Sequence, residues 1–283
     1  MIRIIALDLD GTLLDSEKRL SARNRRALEQ AAERGVHIVP TTGRFFGMMP
    51  QAVRDLDFVR YAITINGAAA YDRVADETIV RDEIPLATAV AIMEKLDAFD
   101  IIYDCYRNDW GWITAEFADK AEVYATNEHY LKMVREFRRP VPELKRHLLE
   151  TAGEGDVQKI MMFSRLEDKD ASELRKVREM VAQHFPRILP TSSTWNDLEL
   201  NIDTANKGNS LRRLAEKLGS SLEECMSFGD GLNDLSMIKA ARYSVAMANA
   251  VDEVKAAAKF VTATNDEDGV ALSIEKAMAE GLM

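Results

Sequence analysis

The stretch IIALDLDGTLLDSEKRLS, residues 4–21, opens as an unbroken apolar run that ends in two aspartates separated by one leucine. An apolar run without polar alternation is what a central strand of a parallel sheet looks like, covered on both faces. Residues i and i+2 of a strand share a side, so Asp8 and Asp10 are expected to present both carboxylates to one place while Leu9 faces elsewhere. In open α/β sheets that place, beyond the carboxyl end of a strand, is where ligands bind. Paired carboxylates stay ionised together only when a cation or strong donors offset their repulsion, which points to a bound metal ion. Taken alone, the stretch reads equally well as turn-forming aspartates leading into Asp-Gly-Thr.

Outward from this strand, SARNRRALEQAAERGV has an N-cap serine at Ser21, apolar residues at helical spacing and a glycine stop at Gly35, which predicts a helix. HIVPTTGR resumes as a strand ending at Thr42, and YAITINGAAAYD reads as a further strand ending at Asn66-Gly67. This βαβ rhythm implies a parallel α/β sheet with right-handed crossovers. From about Asp82 to Pro190 the pattern is less regular. It suggests a helix over 86–98, short strands at IIYDCYR, WGWIT and KIMMFS, and a helix near 170–184. The βαβ pattern then returns in NKGNSLRRLAEKLG, ECMSFGDGLNDLSMIKAA, YSVAMANA and FVTATNDEDGVALSIEKAMAEG. The expected organisation is a core formed by residues 1–82 and 190–283, with an α+β domain, residues 83–189, inserted between them.

Bulk properties narrow the function. The 283 residues are 47% apolar and 30% charged, an ordinary globular composition. A net charge of −10 argues against binding bare nucleic acid or an anionic membrane, which call for basic surfaces. Two distant cysteines, Cys105 and Cys225, suggest neither a disulfide framework nor a thiolate metal site, and fit a reducing cytoplasm. The opening MIRIIALDL is too short for a secretory signal, and no apolar run approaches the roughly 20 residues of a membrane span. A soluble, unprocessed, cytoplasmic protein is expected.

The first strand's acidic end has counterparts. CMSF runs into Gly229-Asp230, with Asn233 and Asp234 one turn later, so a second carboxylate cluster sits at another strand terminus. TTGR places the Thr42 hydroxyl, Gly43 and Arg44 at a third strand end, and Lys207-Gly208 begins a helix whose backbone N–H groups favour an anion. Singly, a Thr-Gly turn is usually only a turn, a lysine in a first helical turn is usually solvated, and GDGLND passes for an ordinary loop. Their joint occurrence, in this order, argues for one site.

Together these segments strongly resemble the haloacid dehalogenase superfamily of phosphatases, and within it the Cof-type sugar-phosphate phosphatases with a C2B cap. The resemblance rests on DLDGTLL, TTGR, NKG and GDGLND, with INGA and the closing NDEDGVA, and runs over nearly the whole chain. It implies a Rossmann-like core with an inserted cap, and it implies roles. Asp8 would be the nucleophile that forms an aspartyl-phosphate, and Asp10 the general acid and base. Mg²⁺ would be the cofactor, held by the carboxylates of Asp8 and Asp230, the backbone carbonyl of Asp10 and waters oriented by Asp234, all hard oxygen donors. Lys207 would balance charge on Asp8 and the transferring group. Thr42, Gly43 and Asn233 would donate to phosphate oxygens, with Arg44 and Asn66 as further substrate contacts. One departure is DTANKG, where relatives usually carry a Gly-Val-Ser run before the lysine.

The implied function is hydrolysis of small phosphate monoesters, sugar phosphates first and FMN or pyridoxal phosphate behind, by a monomer or homodimer. A phosphomutase of the same superfamily and a non-catalytic binding protein on this fold are the alternatives; the inserted cap and the DLDGT placement tell against a phosphorelay receiver. Substrate choice is expected in residues 83–189, where Tyr103, Tyr106, Arg107, Asn108, Trp110 and Trp112 cluster. His37, His129, His147 and His184 lack metal-ligand spacing and are given no catalytic role.

Overall fold

The computed structural model describes residues 1–124, 128–192 and 194–283, with the side chains of 128–130 also excluded, so the reading of His129 lies outside the described residues. The chain divides into two compact units, one made of Met1–Arg81 and Thr204–Met283, the other of Asp82–Asp203.

The first unit begins with β1 (Ile4–Leu7), every residue of which is buried, as a strand covered on both faces requires. The helix Ala22–Glu33 follows, its N-cap Ser21 accepting the Asn24 N–H, and leads to β2 (His37–Pro40). Next come β3 (Tyr61–Thr64), β4 (Ala69–Asp72) and β5 (Glu77–Arg81). They form an antiparallel sheet of order β3-β4-β5, and β3 meets the parallel sheet at the parallel Thr41–Ile63 bridge. The first strand of YAITINGAAAYD ends before Asn66-Gly67, as the sequence suggests, but the remaining AAYD returns as an antiparallel strand and does not continue the βαβ series. The reversal occurs at Ile65-Asn66-Gly67, all three at positive φ. Gly67 is needed there twice over: its φ is +97°, and a Cβ would lie 2.3 Å from the backbone of Asn206.

In the second unit, β6 (Ile101–Arg107), β7 (Trp110–Thr114), β8 (Arg138–Val141), β9 (Lys159–Ser164), β10 (Ile188–Thr191) and β11 (Asp197–Ile202) form a sheet of order β10-β11-β9-β6-β7-β8. It is antiparallel except for the β7–β8 pair. Helices Leu86–Leu96 and Ser172–His184 belong to the same unit. The chain returns to the first unit at Thr204, not at residue 190. The correction has a plain cause: β11 pairs antiparallel with β9 and β10, which keeps residues 190–203 in the inserted sheet.

Back in the first unit, β12 (Cys225–Gly229), β13 (Tyr243–Ala246) and β14 (Phe260–Val261) complete a five-stranded parallel sheet of order β14-β13-β12-β1-β2. Helices Ala22–Glu33 and Gly269–Ala279 pack together, burying Leu28, Ala31, Val270 and Ile274 with Ile5, Leu7 and Leu9. On the other face, Leu211 and Leu214 of the helix Lys207–Lys217 pack with Ile4, Ala6 and Val39. Adjacent strands β1 and β12 thus end side by side, with Leu7 opposite Phe228, and deliver Asp8 and Asp230 to one edge. Among the described residues, no helix is long and apolar enough to cross a membrane.

Candidate active site

Asp8 follows the last residue of β1 and is held in sheet register by its N–H, which donates to the Phe228 carbonyl at 3.1 Å. Beyond it the chain curls: the N–H of Leu13 donates to the Asp8 carbonyl and that of Leu14 to the Leu9 carbonyl, while Leu9 turns into the core. Because β1 stops at Leu7, two-residue alternation no longer governs where Asp10 points. The carboxylates that gather are those of Asp8, Asp230 and Asp234, with one oxygen of each within 4.8 Å of the others. The Asp10 carboxylate is not one of this group among the described residues, and instead pairs with Arg44 at 2.8 Å and Lys18 at 2.9 Å.

Lys207 lies at the centre of this group. Its side chain is fully buried, and its ammonium donates to Asp8 Oδ1 and Asp234 Oδ1, both at 2.6 Å. The local cause is the N-cap at Asn206, whose side chain accepts the Asn209 N–H and starts the helix at Lys207. This Asn also gives the DTANKG departure a structural role. Burial disfavours the ammonium, but Asp234 and Asp8 outweigh it and raise the Lys207 pKa. The other oxygen of Asp234 accepts the N–H groups of Asp230 and Gly231, at 2.9 and 3.0 Å. Asp234 therefore ties the GDGLND turn to the lysine.

Three carboxylates against one ammonium leave two negative charges in excess when all are ionised. Burial, with the charges of Asp234 and Asp230, pushes the Asp8 carboxyl up to about 7 even though Lys207 pulls it down. Asp230 is likewise raised, chiefly by burial, against the opposing hydrogen bond from Thr12. The donors are all hard oxygens, and the excess charge is what a divalent cation offsets. Gly11 keeps this place open: its φ is +81°, and a Cβ would stand 2.4 Å from Asp230 Oδ2. The residues present thus fit a divalent metal ion, held by Asp8 and Asp230 with Asp234 close by.

Thr42 and its neighbours lie at the end of β2. The Thr42 N–H donates to the Ile63 carbonyl and its carbonyl accepts the Asn66 N–H, while the Ile65 N–H donates to the Arg44 carbonyl. TTGR and ING are therefore zipped together, and Gly43 lies where a Cβ would meet Asn66 Oδ1 at 2.9 Å. Asn233 is exposed on the short helical turn after β12. Burial opposes ionisation of Asp10, but Arg44 and Lys18 hold its carboxyl below the usual range.

Sequence reasoning missed several supporting residues. Thr12 Oγ1 donates to Asp230 Oδ1 at 2.7 Å, and Ser236 Oγ accepts the Gly208 N–H at 3.0 Å. Asn249 donates to the Gly11 carbonyl and accepts the Asn265 N–H, and Asn265 Nδ2 donates to the Leu14 carbonyl, so the NDEDGVA segment buttresses the loop after Asp8. Thr12, at least, carried a signal, since a hydroxyl beside a carboxylate-bearing turn is a ready donor.

In the inserted unit, the residues singled out for substrate choice have internal partners. Tyr103 donates to Asp97 at 2.8 Å, Arg107 to the Thr151 hydroxyl at 2.9 Å, and Asn108 to the Glu154 carbonyl at 2.8 Å. Arg139 lies over Trp110, and Trp112 stacks on His147. The Arg138 guanidinium and the Lys159 ammonium each lie over the Tyr106 ring, and those cations pair with Asp104 and Glu199.

The first unit is thus a parallel sheet with buried carboxylates and a lysine at its carboxyl edge, interrupted in sequence by a second α+β unit. The sequence matches the haloacid dehalogenase-like hydrolase family over residues 5–274. The chain belongs to that family and is an enzyme of it. It is 29% identical to the 5-amino-6-(5-phospho-D-ribitylamino)uracil phosphatase YwtE of Bacillus subtilis, over 98% of this chain and 99% of that one. It is 31% identical to the pyridoxal phosphate phosphatase YbhA of Escherichia coli, over 95% and 96%. Its fold is similar to that of a haloacid dehalogenase-like hydrolase from Bacteroides thetaiotaomicron, with a TM-score of 0.79 and 29% identity over 98% of this chain and 99% of that one.

Proposed function

We propose that this enzyme hydrolyses small phosphate monoesters by way of a phosphorylated Asp8. The observation that carries the reading is Lys207, buried between Asp8 and Asp234 and beside Asp230. An Asp8 oxygen attacks phosphorus, the bond to the leaving oxygen breaks, and the alcohol departs with a proton from Asp10. Water then attacks the same phosphorus, giving its proton to Asp10, and the Asp8–phosphorus bond breaks to release inorganic phosphate. Asp10, as it stands, is the ionised proton acceptor; donating to the leaving alcohol requires it to take up a proton first.

Lys207 keeps the Asp8 oxygen charged and oriented while offsetting charge on the transferring group. Thr42, Gly43 and Asn233 supply donors for the phosphate oxygens, and Arg44 and Asn66 border them. Asp8, Asp230 and the Asp10 carbonyl would hold Mg²⁺, with Asp234 close by, and the ion would supply electrostatic stabilisation of the phosphoryl oxygens. Phosphorylated sugars, ribityl-phosphate compounds and pyridoxal phosphate are the substrate classes we favour, the last two on the names of the similar phosphatases. The test is phosphate release from a panel of sugar, nucleotide and cofactor phosphates with and without Mg²⁺. Mg²⁺-dependent release, abolished in Asp8→Asn, supports the reading, and no release from any of them counts against it.

A further inference from the structure

Asp10 has one cation on each of its oxygens: the Lys18 ammonium 2.9 Å from Oδ1 and the Arg44 guanidinium 2.8 Å from Oδ2. The two cations come from different parts of the first unit. Arg44 is fixed through its backbone, its carbonyl accepting the Ile65 N–H and its own N–H reaching the Thr42 hydroxyl at 3.3 Å. Lys18 is delivered by a turn that Asp15 organises. The Asp15 carboxylate accepts the N–H groups of Glu17 and Arg19, its carbonyl accepts that of Lys18, and Lys18 is forced to a φ of +62°. The turn is anchored in addition by Ser16, whose N–H and hydroxyl both donate to Asp266.

This arrangement has no stability rationale. The Lys18 side chain is 59% exposed, and an exposed ion pair of this kind contributes little to folding. A non-glycine residue in the left-handed region is disfavoured, and such conformations persist where the surroundings over-determine them. What the pair does achieve is directional. A carboxylate hydrogen-bonded only at Oδ2, to Arg44, still rotates about its Cβ–Cγ bond; the Lys18 charge, an ion pair at Oδ1 without hydrogen-bond geometry, opposes that rotation from a separately anchored site.

We infer that Lys18 is a positioning residue for Asp10, sharing its carboxylate with Arg44 and fixing the direction in which it exchanges protons with the leaving alcohol and with water. This rests on the reading of Asp10 as the proton-transfer group. Small misplacements of such a group lower the rate of the chemical steps without weakening substrate binding.

The test is a double-mutant cycle of Lys18→Met and Asp10→Asn with Lys18→Arg as the conservative variant. It is assayed on p-nitrophenyl phosphate, whose leaving group departs without a proton and so leaves Asp10→Asn a measurable rate. Lys18→Met is expected to lower kcat about tenfold with no rise in KM, Lys18→Arg to recover most of the loss, and Lys18→Met to change nothing further in the Asp10→Asn background. A rise in KM at unchanged kcat, or equal losses in both backgrounds, overturns the proposal, since Lys18 would then act on the substrate or on the fold of the turn. Wild-type enzyme that releases no phosphate would fail the phosphatase reading itself; active wild type indifferent to Lys18→Met fails this inference alone.

Discussion

The Lys207 ammonium lies 2.6 Å from Asp8 Oδ1, a contact between residues 199 positions apart in sequence and made with the lysine wholly buried. A buried lysine needs its charge paired, and here two carboxylates share it. Replacing Lys207 with Met removes that balance. Phosphate release is expected to fall by about two orders of magnitude or more. Loss of the buried pair is expected to destabilise the fold by roughly 3 kcal/mol. Steady-state kinetics and denaturant unfolding of the variant check both numbers; an active Lys207→Met enzyme would remove the lysine from the mechanism.

Thr12 Oγ1 donates to Asp230 Oδ1, so in the proposed metal site the threonine would act on metal binding through its neighbour. Thr12→Val keeps the shape and removes the donor. The Mg²⁺ concentration for half-maximal activity is expected to rise about 10–100-fold, with rates recovering at saturating metal. A Mg²⁺ titration of activity measures it. An unchanged metal requirement would show that Asp230 needs no help from the hydroxyl.

The Asp8 carboxyl, raised to about 7, links pH to stability. A carboxyl whose folded pKa exceeds its unfolded one binds its proton more tightly when folded. Its contribution to stability is full below pH ~4 and is lost as pH rises through about 7. Metal binding needs the ionised form, so the rise in Tm on adding Mg²⁺ should be larger near pH 8 than near pH 6. Thermal unfolding with Mg²⁺ and with chelator at both pH values checks this, and a metal-induced shift independent of pH would contradict it.

In the inserted unit, Arg138 Nε donates to Asp104 at 2.8 Å with both side chains almost wholly buried. Burial raises the Asp104 pKa in spite of the Arg138 charge. Arg138→Met strands a carboxylate and is expected to destabilise this unit by about 3–5 kcal/mol, whereas adding Asp104→Leu to it should restore much of the loss. Denaturant unfolding of the single and double variants decides; additive losses would mean that the two residues are not coupled.

How much of this was legible in the sequence depended on whether the signal was local. The buried strand at Ile4, the Ser21 cap and the strand-end carboxylates were readable because each is set by neighbouring residues. The return of the chain at Thr204 was not, because β11 is assigned by its antiparallel partners β9 and β10 and not by its own pattern. In YAITINGAAAYD the strand end at Asn66-Gly67 is legible, but the return strand Ala69–Asp72 is not, because the reversal rests on three consecutive positive-φ residues, only one of which is glycine. Asp10 was placed beside Asp8 by strand alternation, which ceases at Leu7. Lys18 and Thr12 gain their meaning only when the loop after Asp8 folds back.

The central claim is that Asp8 carries the phosphoryl group between substrate and water. Rapid acid quenching of the Mg²⁺-loaded enzyme during turnover, followed by mass spectrometry of the peptide containing Asp8, tests it most directly. A phosphoryl adduct on Asp8 is expected to appear before phosphate release reaches steady state and to be absent from Asp8→Asn. Turnover without any adduct, or undiminished turnover in Asp8→Asn, would contradict it.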